Sequence, residues 1–222
     1  SRAVDPREDN MLKVSGDGRR AALDLREVGL ETSEPQKVHH VAERVHAIWA
    51  ETAESRAAQV VFCDLSTPKR GWSFYAALRN DLAARGIPAE EIAFIHEAED
   101  EAAKLRLFEA LNEGRVRIVL GSTDKLGVGA NFQKRLVAAH HADAPWRPAD
   151  VEQRNGRILR PGNTHAEARV YYYVTEGSFD AYMWQTLERK QRFIDQLMRG
   201  EVTERSIEDV GGSEALTAAE AK

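Results

Sequence analysis

Five short apolar runs, separated by segments with helical spacing, constrain the fold of this chain more than any other feature. The runs are QVVFC at 59–63, EIAFIH at 91–96, VRIVL at 116–120, RLVAAHH at 135–141 and RVYYYV at 169–174. Runs of this length and β-branched composition are typical of buried parallel strands. Because the strands alternate with helices, we expect an α/β protein with a mostly parallel central sheet and right-handed crossovers.

Between the runs, apolar residues recur at three- and four-residue spacing, which predicts amphipathic helices. We expect helices at 36–53, at 74–85, at 98–112 and from Ser178 to about Met198. In the third of these helices, Leu105, Phe108 and Leu111 are expected to face inward. Ahead of all these elements, only one short helix near 19–26 is expected.

The composition divides the chain into three parts. Residues 1–34 are polar and rich in turn signals, so we expect an N-terminal extension. Residues 35–200 carry all the predicted strands and the long helices, and form the expected domain. Residues 201–222 are acidic, small and aperiodic, which predicts a disordered tail. A length of 222 residues suits one domain of this kind with extensions.

Several classes of protein are excluded by residue usage. No apolar run approaches the ~20 residues that span a bilayer, and the first residues lack the apolar segment of a signal peptide, so we expect a cytoplasmic protein without a membrane partner. A single cysteine, Cys63, excludes an internal disulfide and a zinc site built from several thiolates. The pairs 39–40 and 140–141 are adjacent histidines whose side chains diverge, so no metal site is expected.

The first candidate functional segment is GSTDKLGVGAN at 121–131, directly after the third strand. In open α/β sheets, the loops at the carboxyl ends of strands form the binding sites. Glycines let the backbone approach a ligand closely, and the hydroxyls of Ser122 and Thr123 suit phosphate oxygens. The alternative is a tight strand-to-helix turn in which the glycines supply positive φ.

The second candidate segment is DAPWRPADVEQRNGRILRPGN at 143–163, in which a proline can start a helix. This helix would carry Arg154, Arg157 and Arg160 at three-residue intervals. Guanidinium groups stay charged and fork onto phosphate oxygens, so they can stabilise charge in phosphoryl transfer. The alternative is a solvated basic helix whose arginines pair with Asp150 and Glu152.

Together, the two segments resemble motifs V and VI of superfamily-two helicases and Swi/Snf-type translocases, and the spacing of Gln153, Arg157 and Arg160 is the most specific part. Upstream, QVVFCD resembles the strand of motif IV. The resemblance covers about residues 36–200 and implies a second RecA-like (P-loop NTPase-like) lobe with three layers and a long C-terminal helix. Closer similarity, in segments such as VFCDLSTPK, GIPAEEIAFIH and APWRPADVEQRNGR, is to large bacterial, plasmid and phage proteins that join a helicase to an adenine-specific DNA methyltransferase.

This resemblance implies a role for each matching residue. Arg157 and Arg160 would be catalytic arginine fingers at the γ-phosphate. The nucleotide site would also include Gln153, Gly127, Gly129 and Asn131, and a DNA phosphate would contact Ser122 and Thr123. Arg154 matches no finger position, so its role stays open. Trp146 and Pro148 match residues that are mainly structural in Swi/Snf relatives.

The same resemblance implies which parts of a motor are absent from this sequence. No GxxxxGK[ST] phosphate loop occurs, and DEAA at 100–103 lies at the start of a predicted helix rather than at the end of a strand. ATP and Mg²⁺ would therefore bind mainly to a first lobe outside this chain, with no cofactor expected in the fragment, which alone should not hydrolyse ATP. The expected partners are DNA, that first lobe and a methyltransferase domain, in a bacterial, plasmid or phage protein.

Charge leaves a second interpretation open. The chain has 31 Lys and Arg against 36 Asp and Glu, which does not indicate a nucleic-acid binder, but residues 114–170 have ten against five. This local surplus predicts weak, salt-dependent DNA binding. The alternative function is a non-catalytic RecA-like interaction module that binds DNA or a methyltransferase partner.

Overall fold

The computed structural model of the chain describes residues 11–127 and 131–199. In chain order, the helices and strands of these residues are α1 (Met11–Leu23), α2 (Lys37–Glu51), β1 (Ala58–Phe62), α3 (Phe74–Ala84), β2 (Ile92–Phe94), α4 (Glu101–Glu113), β3 (Ile118–Gly121), α5 (Thr123–Gly127), β4 (Leu136–His141), α6 (Pro148–Ile158), β5 (Arg169–Tyr172) and α7 (Phe179–Met198). All five apolar runs thus contain a strand, as predicted. No helix in these two ranges is both long and apolar enough to cross a bilayer.

The five strands form one parallel sheet in the order β2-β3-β1-β4-β5. In the register of the central strands, Val60 lies opposite Val119 on one side and Ala139 on the other. After β3, the chain crosses to the opposite side of β1 to build β4. At such a change of direction, the loops at the carboxyl ends of the strands diverge and leave a crevice. The polar segments after β1, β3 and β4 all lie at this edge.

Helices cover both faces of the sheet, which confirms the three-layer α/β architecture. Alternate residues of β1 enter two different cores: Val61 packs with α2 and α3, whereas Val60 and Phe62 pack with α4, α5 and α6. The first core contains Val41 and Val45 of α2 and Leu78 and Leu82 of α3, and the second contains Phe108, Leu111, Leu126 and Ile158. A strand buried on both faces is mostly apolar, and the one polar side chain of β1, Gln59, is buried with its Nε2 donating to the Val45 carbonyl at 2.9 Å.

The prediction for Leu105 was wrong. Its side chain is 61% exposed, whereas Phe108 and Leu111 are buried as expected. Helix α4 begins at Glu101 because the Asp100 carboxylate accepts from the Ala103 N–H at 2.6 Å. The buried arc of the helix runs from Phe108 through Leu111 to the partly buried Leu107. At 100° per residue, Leu105 falls on the other side of Phe108 and outside that arc.

The first helix is longer and earlier than predicted, since α1 ends where residues 19–26 were expected to be helical. It packs against the start of α7, where Gly18 contacts Phe179 and Thr175 Oγ1 donates to the Ala22 carbonyl at 2.7 Å. A buried ion pair between Lys37 and Asp180 joins α2 to α7. Residues 1–10 and the predicted acidic tail at 201–222 lie outside the described residues.

Candidate functional site at the carboxyl edge of the sheet

A fully buried arginine joins the loops at the carboxyl edge. Arg154, in α6, donates from Nη2 to Asp64 Oδ2 at 2.7 Å and to Asp143 Oδ1 at 3.0 Å. Its Nε donates to Thr123 Oγ1 at 2.8 Å, and Nη1 donates to the Asp143 carbonyl at 2.9 Å. Asp64 follows β1, Thr123 follows β3 and Asp143 follows β4. One guanidinium therefore holds three loops and α6 together.

The two carboxylates of this network also bind backbone groups. Asp64 accepts from the N–H of Thr123 at 2.7 Å and from its hydroxyl at 2.8 Å. Asp143 accepts from the N–H groups of Asp64 at 2.6 Å and Leu65 at 2.8 Å. Burial alone lowers the pKa of Arg154, but the charges of Asp143 and Asp64 outweigh burial and raise it. Buried charges are stable only with this degree of pairing and hydrogen bonding.

The two histidines that end β4 are both buried. Their side chains diverge to opposite sides of the strand, as the sequence predicts for adjacent strand residues. His140 lies between Gln59 Oε1 at 3.0 Å and the Tyr173 hydroxyl at 2.8 Å. His141 Nε2 is 2.9 Å from Asn155 Oδ1. Burial lowers the pKa of each ring to about 3, with a further contribution from the positive charge of Arg154 at His141. Both rings are therefore neutral near pH 7 and act as packed hydrogen-bonding groups.

The two hydroxyl residues after β3 have different surroundings. The Thr123 side chain is buried, and its hydroxyl donates to Asp64 while accepting from Arg154. Ser122 is partly exposed, and its Oγ accepts from the Lys125 N–H at 3.4 Å at the start of α5. Of the two predicted phosphate contacts, Ser122 thus has the accessible hydroxyl, and Thr123 holds the loop in place.

Ser122 opens onto a groove of about 510 Å³ along the carboxyl edge. The groove is lined in part by Asp64, Thr67, Ser122, Trp146 and Arg147. Trp146 is 52% exposed, and the guanidinium carbon of Arg19 lies 4.2 Å from its ring centroid. Arg19 itself is buried and donates from Nη2 to the Ala144 carbonyl at 2.6 Å. Helix α1 therefore supports this groove from a position far away in the sequence.

Of the predicted fingers, Arg157 lies in α6, and Arg160 lies two positions beyond the end of that helix. At 100° per residue, Gln153 and Arg157 lie about 40° apart on the helix. Arg157 is half-buried and Arg160 is exposed. Arg160 Nη1 donates to Asn131 Oδ1 at 3.1 Å. Burial lowers the pKa of Arg157, and the nearby charge of Arg160 lowers it further.

The structure thus places several predicted site residues together at one end of α6. Asn131 and Arg160 make direct contact, and Arg157 lies close to Arg160. Gly127 is the last residue of α5, and Gly129 lies outside the described residues. Asn163, just beyond, donates from Nδ2 to the carbonyls of Leu136 at 2.7 Å and Ile158 at 3.2 Å, so it fixes the turn that follows α6.

Two residues of this edge escaped the sequence predictions. Arg19 could not be found because its partners lie about 125 positions away. For Arg154 a signal was present, since the apolar Ile158 lies four positions later on the same side of α6 and packs in the core beneath the sheet. An arginine on the inward side of a helix, opposite acidic residues that end strands, indicates a buried ion pair.

Comparison with known proteins identifies the class to which this site belongs. Residues 37–162, more than half of the chain, match the family described as the helicase conserved C-terminal domain. The chain therefore belongs to this family. The five-stranded parallel sheet and the family match together confirm the resemblance to the second RecA-like lobe of superfamily-two helicases.

Two particular matches show how the chain compares in extent with similar proteins. Over 92 residues the chain is 41% identical to Defense against restriction protein B of Escherichia phage P1, a match that covers 41% of this chain and 4% of the relative. The fold is similar to the crystal structure of the C-terminal part of the Fun30 ATPase domain, with a TM-score of 0.55 and 17% identity over 72% of this chain and 49% of that one. The chain thus spans a small fraction of its phage relative.

Proposed function

We propose that this chain is the second motor lobe of an ATP-dependent DNA helicase or translocase. The observation that carries the proposal is the separation of the arginines of motif VI. Internal contacts occupy the guanidinium of Arg154, whereas Arg157 in α6 and Arg160 just beyond its end lie close to each other, and Arg160 contacts Asn131. Guanidinium groups supplied from a second lobe stabilise the charge that develops on a transferred phosphoryl group.

The donor groups at this end of α6 fit a nucleotide phosphate rather than a metal ion. They are the guanidiniums of Arg157 and Arg160 and the amide of Asn131, whose Oδ1 accepts from Arg160. Mg²⁺ prefers oxygen ligands, carboxylates above all, so this lobe would leave the metal to other groups. Because the sequence has no phosphate loop, a first lobe would hold the β-phosphate and the metal. In this arrangement Arg157 and Arg160 orient and neutralise the γ-phosphate.

DNA is the proposed partner of the groove that Ser122 and Trp146 line. Phosphate oxygens accept hydrogen bonds from hydroxyls and backbone N–H groups, and Ser122 offers an exposed hydroxyl there. Trp146 offers an exposed aromatic ring that Arg19 holds in place. Two of the ten basic residues at 114–170, Arg117 and Arg154, are buried, so we expect the isolated lobe to bind DNA weakly and only at low salt.

The proposed context is a large polypeptide of phage or plasmid type. The match to the phage P1 protein covers only 4% of that relative, which supports a lobe within a longer chain. The resemblance of VFCDLSTPK and related segments adds an adenine-specific methyltransferase domain as a further proposed partner.

ATP hydrolysis by the full-length protein tests the motor role. We expect Arg157→Ala and Arg160→Ala each to lower kcat by roughly 10³-fold or more, because each removes a charge needed in the transition state. Nucleotide binding to the first lobe should persist in both variants. Arg192→Ala, which removes an exposed arginine of α7, is the matched control and should leave kcat unchanged.

Two outcomes would count against the motor role. Hydrolysis near the wild-type rate in either finger variant would refute the finger assignment. A full-length wild-type protein that binds DNA but does not hydrolyse ATP would favour the non-catalytic interaction module instead.

A further inference from the structure

We propose that Asn112, at the end of α4 and outside every helicase motif of the sequence, is a positioning residue for Arg160. This inference rests on the proposed function, since it concerns how an arginine finger is held before ATP arrives. Asn112 acts through Asn131, which makes a hydrogen bond with Asn112 and another with Arg160. A preorganised charge is more effective in catalysis than one that must be ordered during the reaction.

The side chain of Asn112 fixes the backbone of a short segment at residues 131–135, which we name the strap. Nδ2 of Asn112 donates to the Asn131 carbonyl at 2.7 Å, and Oδ1 accepts from the Lys134 N–H at 3.2 Å. The Asn112 carbonyl also accepts from Arg135 Nε at 3.0 Å. Three hydrogen bonds from a single residue therefore hold both ends of the strap against α4.

The strap in turn holds the segment that carries Arg160. Asn131 Oδ1 accepts from Arg160 Nη1 at 3.1 Å. Gln133 Nε2 donates to the Pro161 carbonyl at 3.2 Å, and Thr164 donates to the Lys134 carbonyl from its N–H at 2.9 Å and from its hydroxyl at 2.8 Å. The finger is thus tied to the strap at its guanidinium and through the backbone on its C-terminal side.

The chemistry of the bonds explains why an asparagine is suited to this position. The primary amide donates and accepts at once, and here it meets a carbonyl and an N–H of the same segment. An alanine loses both bonds. An aspartate keeps the acceptor, but it places a carboxylate oxygen against the Asn131 carbonyl and adds negative charge at the C-terminus of α4, where the helix dipole disfavours it.

The expected effect is on turnover. In the full-length protein, Asn112→Ala should lower kcat for ATP hydrolysis by roughly 10- to 100-fold, the range that follows from slight misplacement of a catalytic group. Asn112→Asp should lower it at least as much, and Asn131→Ala should have a similar effect because it removes the bond to Arg160 itself. The KM for ATP should change little in Asn112→Ala, because Asn112 itself does not belong to the proposed nucleotide site. Asn80→Ala, an exposed asparagine of α3, is the control and should behave as wild type.

A double-mutant cycle separates positioning from general loss of structure. If Asn112 acts through Arg160, adding Asn112→Ala to Arg160→Ala should cause no further loss of kcat. A further loss equal to that of the single variant would show an independent effect and overturn the inference. Should Asn112→Ala unfold the lobe, Asn112→Asp replaces it in the cycle, since it keeps the acceptor for the Lys134 N–H and loses only the donor to the Asn131 carbonyl.

The same measurements distinguish the failure of this inference from the failure of the proposed function. If Arg160→Ala retains wild-type turnover, the finger assignment is wrong. If Arg160→Ala abolishes turnover while Asn112→Ala and Asn131→Ala both retain the wild-type kcat, the finger assignment stands and the positioning role of Asn112 is refuted.

Discussion

Arg154 and Arg160 lie six positions apart in one motif, yet the first is buried and the second is exposed. We call the network of Arg154, Asp64, Asp143 and Thr123 the interior of the carboxyl edge, and the more accessible Ser122, Asn131, Arg157 and Arg160 its rim. Arg154 has no exposed surface and contacts groups from three loops, whereas Arg160 is exposed and contacts Asn131 at the end of the loop after α5. The interior network therefore fixes the loops relative to the sheet, and the rim leaves the charge of Arg160 exposed. Substitutions should affect stability in the first region and activity in the second.

The largest expected effect on stability comes from Arg154. Replacing it with methionine leaves Asp143 and Asp64 without their counter-charge, and breaking a buried pair in this way costs about 3–5 kcal/mol. Urea unfolding of this chain should show the loss as a lower midpoint. Arg157→Met and Arg160→Met, on the same motif, should change the free energy of unfolding by less than about 1 kcal/mol. Equal losses in all three variants would remove the distinction between interior and rim.

The same contrast separates the features that could be predicted from the sequence from those that depend on tertiary contacts. The strands were predictable because residues such as Val60 and Val61 must be apolar when both faces of a parallel strand are covered. The proposal of arginine fingers rests on a family resemblance, which the sequence could carry because the spacing of Gln153, Arg157 and Arg160 is local. The sequence could not distinguish Arg154 from its neighbours, because its partners come from distant loops and its environment depends on how α6 is rotated.

Other features depend on tertiary packing in the same way. Leu105 has the spacing of a core residue, yet α4 turns it to the solvent because Leu107 and Leu111 define the packed arc. Arg19 precedes the residues that match the family, and only the packing of α1 brings it under Trp146. Asn112 belongs to no motif, and its connection to Arg160 exists only through the folded strap.

Thr123 provides a smaller test of the interior network. Thr123→Val preserves the shape of the side chain but removes a hydroxyl that donates to Asp64 and accepts from Arg154. Because the polar groups left behind are buried or partly buried, we expect a loss of about 1–3 kcal/mol in the free energy of unfolding. Ser122→Ala, the adjacent residue at the rim, should change stability by less than about 0.5 kcal/mol. A stability loss for Ser122→Ala as large as that for Thr123→Val would contradict the assignment of Thr123 to the interior.

The smallest effect concerns pH and the buried ring of His141. Burial, aided by the positive charge of Arg154, lowers the pKa of His141 to about 3 in the folded chain, whereas an unfolded histidine has its ordinary value near 6.5. Below about pH 6.5 the unfolded chain therefore binds a proton that the folded chain does not, so stability is complete above this pH and falls as the pH drops toward 3. Between pH 7.5 and pH 6 the loss is about 0.8 kcal/mol for this group.

His141→Gln keeps a polar side chain opposite Asn155 but cannot titrate, so it should flatten the dependence of unfolding free energy on pH by that amount. An equally steep dependence in His141→Gln would mean that the ring is already charged in the folded chain.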